Sequence, residues 1–447
     1  MFHEIKDIYN NYVKPTNLYL GLVVFIYSWV VTYTSGADPI WSEINTYSIM
    51  FIFISGVIGS SFKKNRAMLL ATLALLLVTV VALGFGKHIK ASTESYNYVY
   101  GLIIFILMSV SISDYFYDKL HRFLFTWQVT LSAVLVSLSL TYNSEINVKL
   151  SGLFQGIISN TRMERIGIGF YAINTLGFFA GILIIVSVFQ MLSKRFMLFS
   201  ITTLIFGILL LLNAGTRSVL LSVFGFTISL ILLRVVKLFF SKHMKLIWYI
   251  MTGGIVLVNG VYLVILLVIK RGSELYTTLN VLSTGRIDYG TQGSQYIEKH
   301  SQLLFGTGLR QMYQIREHFF THWPSWAGLD GDMPYYVFTA GLIGALLVLV
   351  IWAFIMIKIY KTHNLIYWSG FIYLSVMMLF EHVFLYRYGV SGSNAAFWIP
   401  FMVIAFRALS DSKQTQQPLR TQRSKNITNE IDGALRTRVS RNARYHN

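Results

Sequence analysis

The chain has 447 residues, of which 55% are hydrophobic and only 13% charged, with a mean hydropathy of +0.57. A folded soluble protein of this length exposes far more polar side chain, so the composition argues against a soluble enzyme, a secreted domain or a disordered scaffold. Cysteine is absent, which excludes disulfides, thiolate nucleophiles and Cys-ligated metals, and the formal charge of +18 has to be sorted by membrane side.

Taken in chain order, twelve apolar runs approach the ~20 residues a helix needs to cross hydrocarbon. They cover about 18–34, 46–62, 67–86, 98–113, 122–141, 168–192, 196–213, 217–233, 246–269, 334–357, 364–386 and 391–408. The expected fold class is an all-α polytopic membrane protein with about 12 transmembrane helices. Tyr96, Tyr98 and Tyr100 at the start of the fourth run suit an interfacial belt. The first run lacks a small-residue cleavage site and is followed by further spans, unlike a cleavable signal peptide. With only six prolines in the chain, long apolar helices can run uninterrupted.

Segments 1–17, 63–66, 114–121, 193–195, 234–245, 358–363 and the tail hold nearly all of the +18 excess. Cytoplasmic loops are enriched in Lys and Arg, so these segments belong inside, with both termini cytoplasmic. The expected location is the bacterial inner (plasma) membrane, as a multi-pass protein. Residues 1–408 read as one transmembrane catalytic domain, and 409–447 as a basic, disordered cytoplasmic tail. The tail carries Arg420, Arg423, Arg436, Arg438, Arg441 and Arg444. Leaning on anionic inner-leaflet lipid explains it better than nucleic acid does.

This orientation leaves two substantial outer loops, 142–167 and 270–333. The second is far longer than joining two helices requires, and its residues 286–304 could form a helix lying on the outer leaflet. No nucleotide is normally available outside, and the sequence has neither a P-loop nor an H-E-x-x-H motif. Nucleotide-dependent chemistry is therefore disfavoured.

Arginines gather along the outer edge: Arg162 and Arg165 before the sixth span, Arg217 after a tight Asn213–Thr216 turn, Arg286 after Ser283-Thr284-Gly285, then Arg310, Arg316 and Arg387. An arginine beside hydrocarbon needs a partner, and a planar guanidinium matches a diphosphate bidentately. Snorkelling to lipid phosphate is the plainer alternative for any one of them. Arg217 also begins a span, where free N–H groups and the helix dipole favour an anion. Glu381-His382, near the outer end of the eleventh span, is an ionisable pair that either marks a site or locks packing by a mutual hydrogen bond.

Four motifs carry a family resemblance. Residues 213–221, Asn-Ala-Gly-Thr-Arg-Ser-Val-Leu-Leu, resemble the S-R-G/S-x-L-L turn of the bacterial O-antigen polymerase and ligase superfamily. Residues 162–177 resemble that family's R-x-x-G-x-F-x-x-N-x-L-G approach to a span, with Asn174 at the Asn position. Gly285-Arg286 through Leu304-Phe305-Gly306-Thr307-Gly308 is similar to its external G-R … L/F-G-x-G pattern. Asp330-x-Asp332 before 335–344 resembles its D/H-N … G-L-I-G pattern. The likeness covers roughly 160–350.

The resemblance implies a metal-independent, lipid-linked glycosyltransferase without cofactor, acting on undecaprenyl-diphosphate-linked oligosaccharide at the outer face, with a chain-length regulator protein as a possible partner. Ligases carry His-Asn at the last motif. Here Asp330 and Asp332 stand there and His322 lies earlier, which favours a polymerase. On this reading Arg217 and Arg286 stabilise the departing diphosphate, and Arg162, Arg165, Asn174, Arg310 and Arg387 help bind substrate. Asp332 is the first choice of base, ahead of Asp330, His322 and His318. Asp332, followed by Met333 and Pro334, also fits an N-cap. Tyr289, Tyr296, Tyr313, Trp323 and Trp326 could stack on sugars or anchor the interface, while Lys299 and His300 read as a solvated face. The competing readings are an O-antigen ligase and, from a non-enzymatic class, a lipid-linked oligosaccharide flippase. The chain shows neither the internal repeats nor the mid-span charges common in transporters.

Overall fold

In a computed structural model of the chain, the residues described are 13–57, 115–116, 119–142, 167–170, 173–269, 272–282, 286–308, 320, 329, 331–362 and 364–381. The spans read at 67–86, 98–113 and 391–408, nearly all of the loop 142–167 and the basic tail lie outside them. Regular structure among the described residues is helical, apart from one antiparallel bridge between Thr34 and Phe170. In chain order the helices are α1 Lys14–Thr32, α2 Ile40–Val57, α3 Leu120–Thr141, α4 Ile173–Leu192, α5 Met197–Ala214 and α6 Arg217–Phe239, then α7 Met244–Val268, α8 Glu274–Leu282, α9 Arg286–Lys299, α10 Asp332–Ile359 and α11 Leu365–Phe380.

Seven of the described helices are long and apolar enough to cross a membrane: α1, α3, α4, α5, α6, α7 and α10. Helix suits such runs because it satisfies every backbone polar group within the segment. Burial differs sharply among them. The α4 window is 78% buried and the α7 window 22%, so α4 is central and α7 peripheral. Leu198, Leu238 and Leu257 stay exposed on α5, α6 and α7, an apolar outer surface of the kind lipid tails cover.

Aromatic packing joins the first half. The Trp29 ring on α1 meets Trp127 of α3 and Phe179 of α4 edge-on, at centroid distances of 5.9 and 4.6 Å. Three indoles tie the second half together. Trp248 Nε1 donates to the Met356 carbonyl at 2.7 Å, Trp352 Nε1 to Ser375 Oγ at 3.1 Å and Trp368 Nε1 to the Ile359 carbonyl at 3.0 Å. Each bond satisfies an indole N–H that burial removes from water. Between α3, α4 and α5, the amide nitrogen of buried Gln128 lies 2.6 Å from the Thr203 hydroxyl and 3.3 Å from those of Ser187 and Ser200.

The α5–α6 connection is as short as its sequence promised. Gly215 adopts a left-handed conformation (φ 56°, ψ 28°), and its N–H returns to the Leu211 carbonyl at 3.1 Å. Glycine closes helices in this way because it carries no Cβ. Thr216 is extended, and its carbonyl accepts the Leu220 N–H at 3.0 Å, so α6 starts at once.

The tenth apolar run is not one continuous helix. Gly341 interrupts α10 with φ 67° and ψ −170°, dihedrals that only glycine adopts readily. The irregular strap 302–308 crosses the break. Thr307 N–H donates to the Phe338 carbonyl at 2.8 Å and Gly308 N–H to that of Thr339 at 3.0 Å. In return, Leu342 and Ile343 donate to the Leu303 and Leu304 carbonyls at 2.9 and 3.3 Å. Each half-helix end thus finds its partners in the strap, as non-helical backbone inside a membrane protein must.

Candidate functional site

One end of the bundle gathers the connections that the charge argument assigns to the outer face. The Ser35 N–H donates to the Gly169 carbonyl at 2.6 Å, joining the α1–α2 turn to the chain before α4. Gly177 of α4 lies so close to Thr216 that a Cβ there would stand 2.4 Å from the threonine Oγ1. Gly331 (φ 90°) passes the end of α11, where a Cβ would stand 2.7 Å from the Leu379 carbonyl oxygen. The starts of α4, α6 and α10 and the end of α11 therefore meet in one place.

At their centre is Glu381. α11 stops at Phe380, short of the 364–386 read from the sequence, and Glu381 leaves it in an extended conformation (φ −137°, ψ 157°). Its N–H still closes the last turn by donating to Met377 at 2.8 Å. Its Oε1 accepts from Arg286 Nη2 at 3.2 Å and from the Ser218 hydroxyl at 2.9 Å. The ion pair is largely sheltered, with the Arg286 and Glu381 side chains 17% and 14% exposed. One carboxylate oxygen thus draws together the first residue of α9 and the first turn of α6.

Arg217 is half-buried beside Ser218 at the start of α6. Arg217 and Arg286, singled out from the sequence, consequently belong to the same neighbourhood. Asn174 lies one turn before Gly177 on α4, half-buried, on the side facing the Thr216 turn. Asp332 is the first residue of α10, beside the end of α11. The cap belongs to Gly331 rather than to Asp332, since only glycine fits both the positive φ and the Leu379 contact. The Asp332 side chain lies outside the description, as do Arg162, Arg165, Arg310, Arg387, Asp330, His318 and His322.

The start of α9 is clamped from below. The Tyr276 hydroxyl of α8 donates to Asp288 Oδ1, and the Asp288 N–H donates to Asn280 Oδ1 at 2.9 Å. One side of this helix packs into the protein. Gly290, Gly293, Ser294 and Ile297 form a buried face, because the glycines let α9 close on Leu266 of α7 and on Leu329 and Phe338. Tyr296 accordingly packs inside, 5.8 Å from the Phe320 ring and 6.1 Å from Phe338, which removes it from sugar stacking. Burial raises its hydroxyl pKa. His300 stacks on the Tyr296 ring at 4.1 Å instead of pointing to solvent, whereas Lys299 is exposed.

Sequence reasoning gave Ser218 no role and did not foresee the Arg286–Glu381 pair; His382, named there together with Glu381, lies outside the described residues. An ionisable residue closing an apolar run is itself the signal that marks Glu381. Among the described residues no three His, Cys, Asp or Glu side chains lie together as metal ligands would. The chemistry on offer is a pair of arginines and a hydroxyl near a helix start, donors that suit an anion, and the Glu381 carboxylate is the anion that Arg286 and Ser218 hold. No family model matches the chain, and no curated protein matches it in sequence.

Proposed function

We propose that the protein is a polysaccharide repeat-unit polymerase of the bacterial inner (plasma) membrane, with about twelve spans, both termini cytoplasmic and the site on the outer face. It transfers the growing glycan from undecaprenyl diphosphate to the non-reducing end of another lipid-linked repeat unit, as in O-antigen, capsule or exopolysaccharide synthesis. The supporting observation is that one oxygen of Glu381 holds Arg286, at the start of α9, and Ser218, the residue after Arg217 in the first turn of α6.

The acceptor hydroxyl oxygen bonds to the anomeric carbon of the donor sugar as the bond to the phosphate oxygen breaks. The electron pair leaves with the lipid diphosphate, and the hydroxyl proton passes to a base, for which Asp332 is the first choice and Asp330 and His322 the others. Charge builds on the diphosphate, and the guanidiniums of Arg217 and Arg286 stabilise it without a metal. A preorganised donor of this kind is worth about 3 kcal/mol of barrier.

The test is the purified protein with synthetic lipid-linked repeat units and chelator, read on a gel. A ladder forming without added core acceptor supports the polymerase. Transfer only when lipid A core is supplied would point to a ligase instead. Arg217→Ala and Arg286→Ala should each slow elongation about 100- to 1000-fold. In cells they should leave single lipid-linked repeats on the outer side. Repeats accumulating inside would mark a flippase and overturn the proposal.

A further inference from the structure

We propose that the connection between α6 and α7 is a docking surface for anionic phospholipid, in which Lys237, Lys242 and Lys245 hold the headgroup phosphate and Leu238, Phe239 and Phe240 receive the acyl chains. The polymerase reading plays no part in it, because the connection lies at the other end of the bundle. α6 begins at Arg217 beside the candidate site and runs 23 residues to Phe239, a distance of about 35 Å at the rise of a helix. The lipid is therefore one of the leaflet opposite to the site.

Charge makes the first part of the case. No Asp or Glu occurs between Glu164 and Glu274, a stretch that contains Arg234, Lys237, Lys242 and Lys245. All four residues are exposed, and among the described residues none of them makes an ion pair. Lys245 has a ring instead, its Nζ lying 5.7 Å from the centre of Tyr249. An aromatic face leaves the ammonium with N–H donors to spare, and an anion is what they lack.

The apolar residues between the lysines make the second part. Leu238, Phe239 and Phe240 are 80%, 70% and 56% exposed. In water they would form a bare apolar patch, and in hydrocarbon the flanking cations would be stranded. One depth satisfies both, where headgroups meet acyl chains and long basic side chains reach the phosphates. A zwitterionic headgroup brings a cation of its own. An anionic one supplies the negative charge that this stretch of chain lacks, which decides between them.

The fold keeps these groups together. Phe240 N–H closes α6 on the Val236 carbonyl at 2.7 Å, Ser241–His243 form a 3-10 turn with His243 N–H on the Phe240 carbonyl at 2.9 Å, and α7 starts at once with Met244. Met244 is buried, and Trp248 one turn later is tied to the Met356 carbonyl of α10. The three lysines thus stand on one short reversal that cannot unravel without uncovering Met244 and Trp248. A surface ordered before its ligand arrives loses little entropy in binding it. That separates it from lysines that snorkel one by one.

The experiment titrates the purified full-length protein, in an uncharged detergent, with phosphatidylglycerol or with phosphatidylcholine of the same chains, and counts bound lipid by native mass spectrometry. The wild type should hold phosphatidylglycerol about a hundredfold more tightly. Lys242→Gln/Lys245→Gln should lose about thirtyfold of that affinity and leave phosphatidylcholine unchanged. Lys194→Gln/Arg195→Gln removes as much charge from the α4–α5 turn and should cost far less. Phe239→Ser/Phe240→Ser should loosen both lipids. Lys242→Gln, in the exposed turn, carries the test by itself if the double variant does not melt and elute like the wild type. Equal retention of the two lipids by the wild type overturns the proposal. So does an equal loss from the two charge pairs, which would make net charge rather than this surface responsible. Glycerol phosphate should not compete with the lipid; competition would mark a site for soluble phosphate and overturn the lipid assignment.

Discussion

Replacing Gly341 by alanine is the sharpest test of how the strap holds the site. Gly341 sits at φ 67°, ψ −170°, and a Cβ there would stand 2.2 Å from both the carbonyl carbon and the oxygen of Leu304. Both obstacles are backbone, so no side chain can swing aside. Holding a non-glycine residue in that conformation costs about 1–3 kcal/mol. Pushing the strap away also sacrifices the Leu342 and Ile343 hydrogen bonds to Leu303 and Leu304, at about 1 kcal/mol each. The expected loss is about 3–5 kcal/mol. Because the strap begins three residues after α9 ends, its release should also loosen Arg286 and reduce elongation. The assay is thermal unfolding in detergent beside Gly253→Ala, a glycine in α7 with nothing within 4 Å of its added Cβ. The control should be neutral or slightly stabilising. If Gly341→Ala melts with Gly253→Ala, the interlocked break is not what holds this region.

Three further outcomes are expected. Gly177→Val should cost about 1–3 kcal/mol by overpacking α4 against Thr216, and elongation should fall with stability because Arg217 follows that threonine; an unchanged melting temperature would show that the close approach does not exist. Gln128→Leu should cost only about 0.6–1.7 kcal/mol, the range for hydrogen bonds between membrane helices, measured by denaturant or thermal unfolding; a loss of folding would give the Gln128 cluster far greater weight. Burial raises the Tyr296 pKa in the fold, so above about pH 10 the unfolded chain holds fewer protons there than the folded one, and stability falls as pH rises. Tyr296→Phe should show a shallower decline between about pH 9 and 11, and parallel melting curves would refute the assignment.

Much of the architecture is legible because hydrocarbon imposes a one-dimensional rule. Apolar length alone finds α1, α3, α5, α6 and α7 to within a few residues, and Asn213–Thr216 announces its own turn through Gly215. The failures share a different cause. Residues 335–344 read as unbroken helix, since Gly341 departs from helical geometry only because the strap supplies the missing hydrogen bonds. The buried face of α9 was not legible because its glycines carry no apolar bulk, and that smallness lets it close on α7 and α10. Asp332 looked like a cap because Met333 and Pro334 follow it, and the Leu379 contact that gives the cap to Gly331 leaves no trace in the local sequence. Arg286 and Glu381 were each visible as candidates, but their pairing was not, for the two lie 95 residues apart in the chain.

The sequence by itself determined that this chain is helical, suited to membrane, and rich in arginine near the ends of its apolar runs, because solvation and helix periodicity act on neighbours along the chain. Which of those ends meet, where α10 breaks, and that Glu381 joins Arg286 to Ser218 were decided by the tertiary structure alone. Those are contacts between distant segments, and only close packing brings the partners within hydrogen-bond reach.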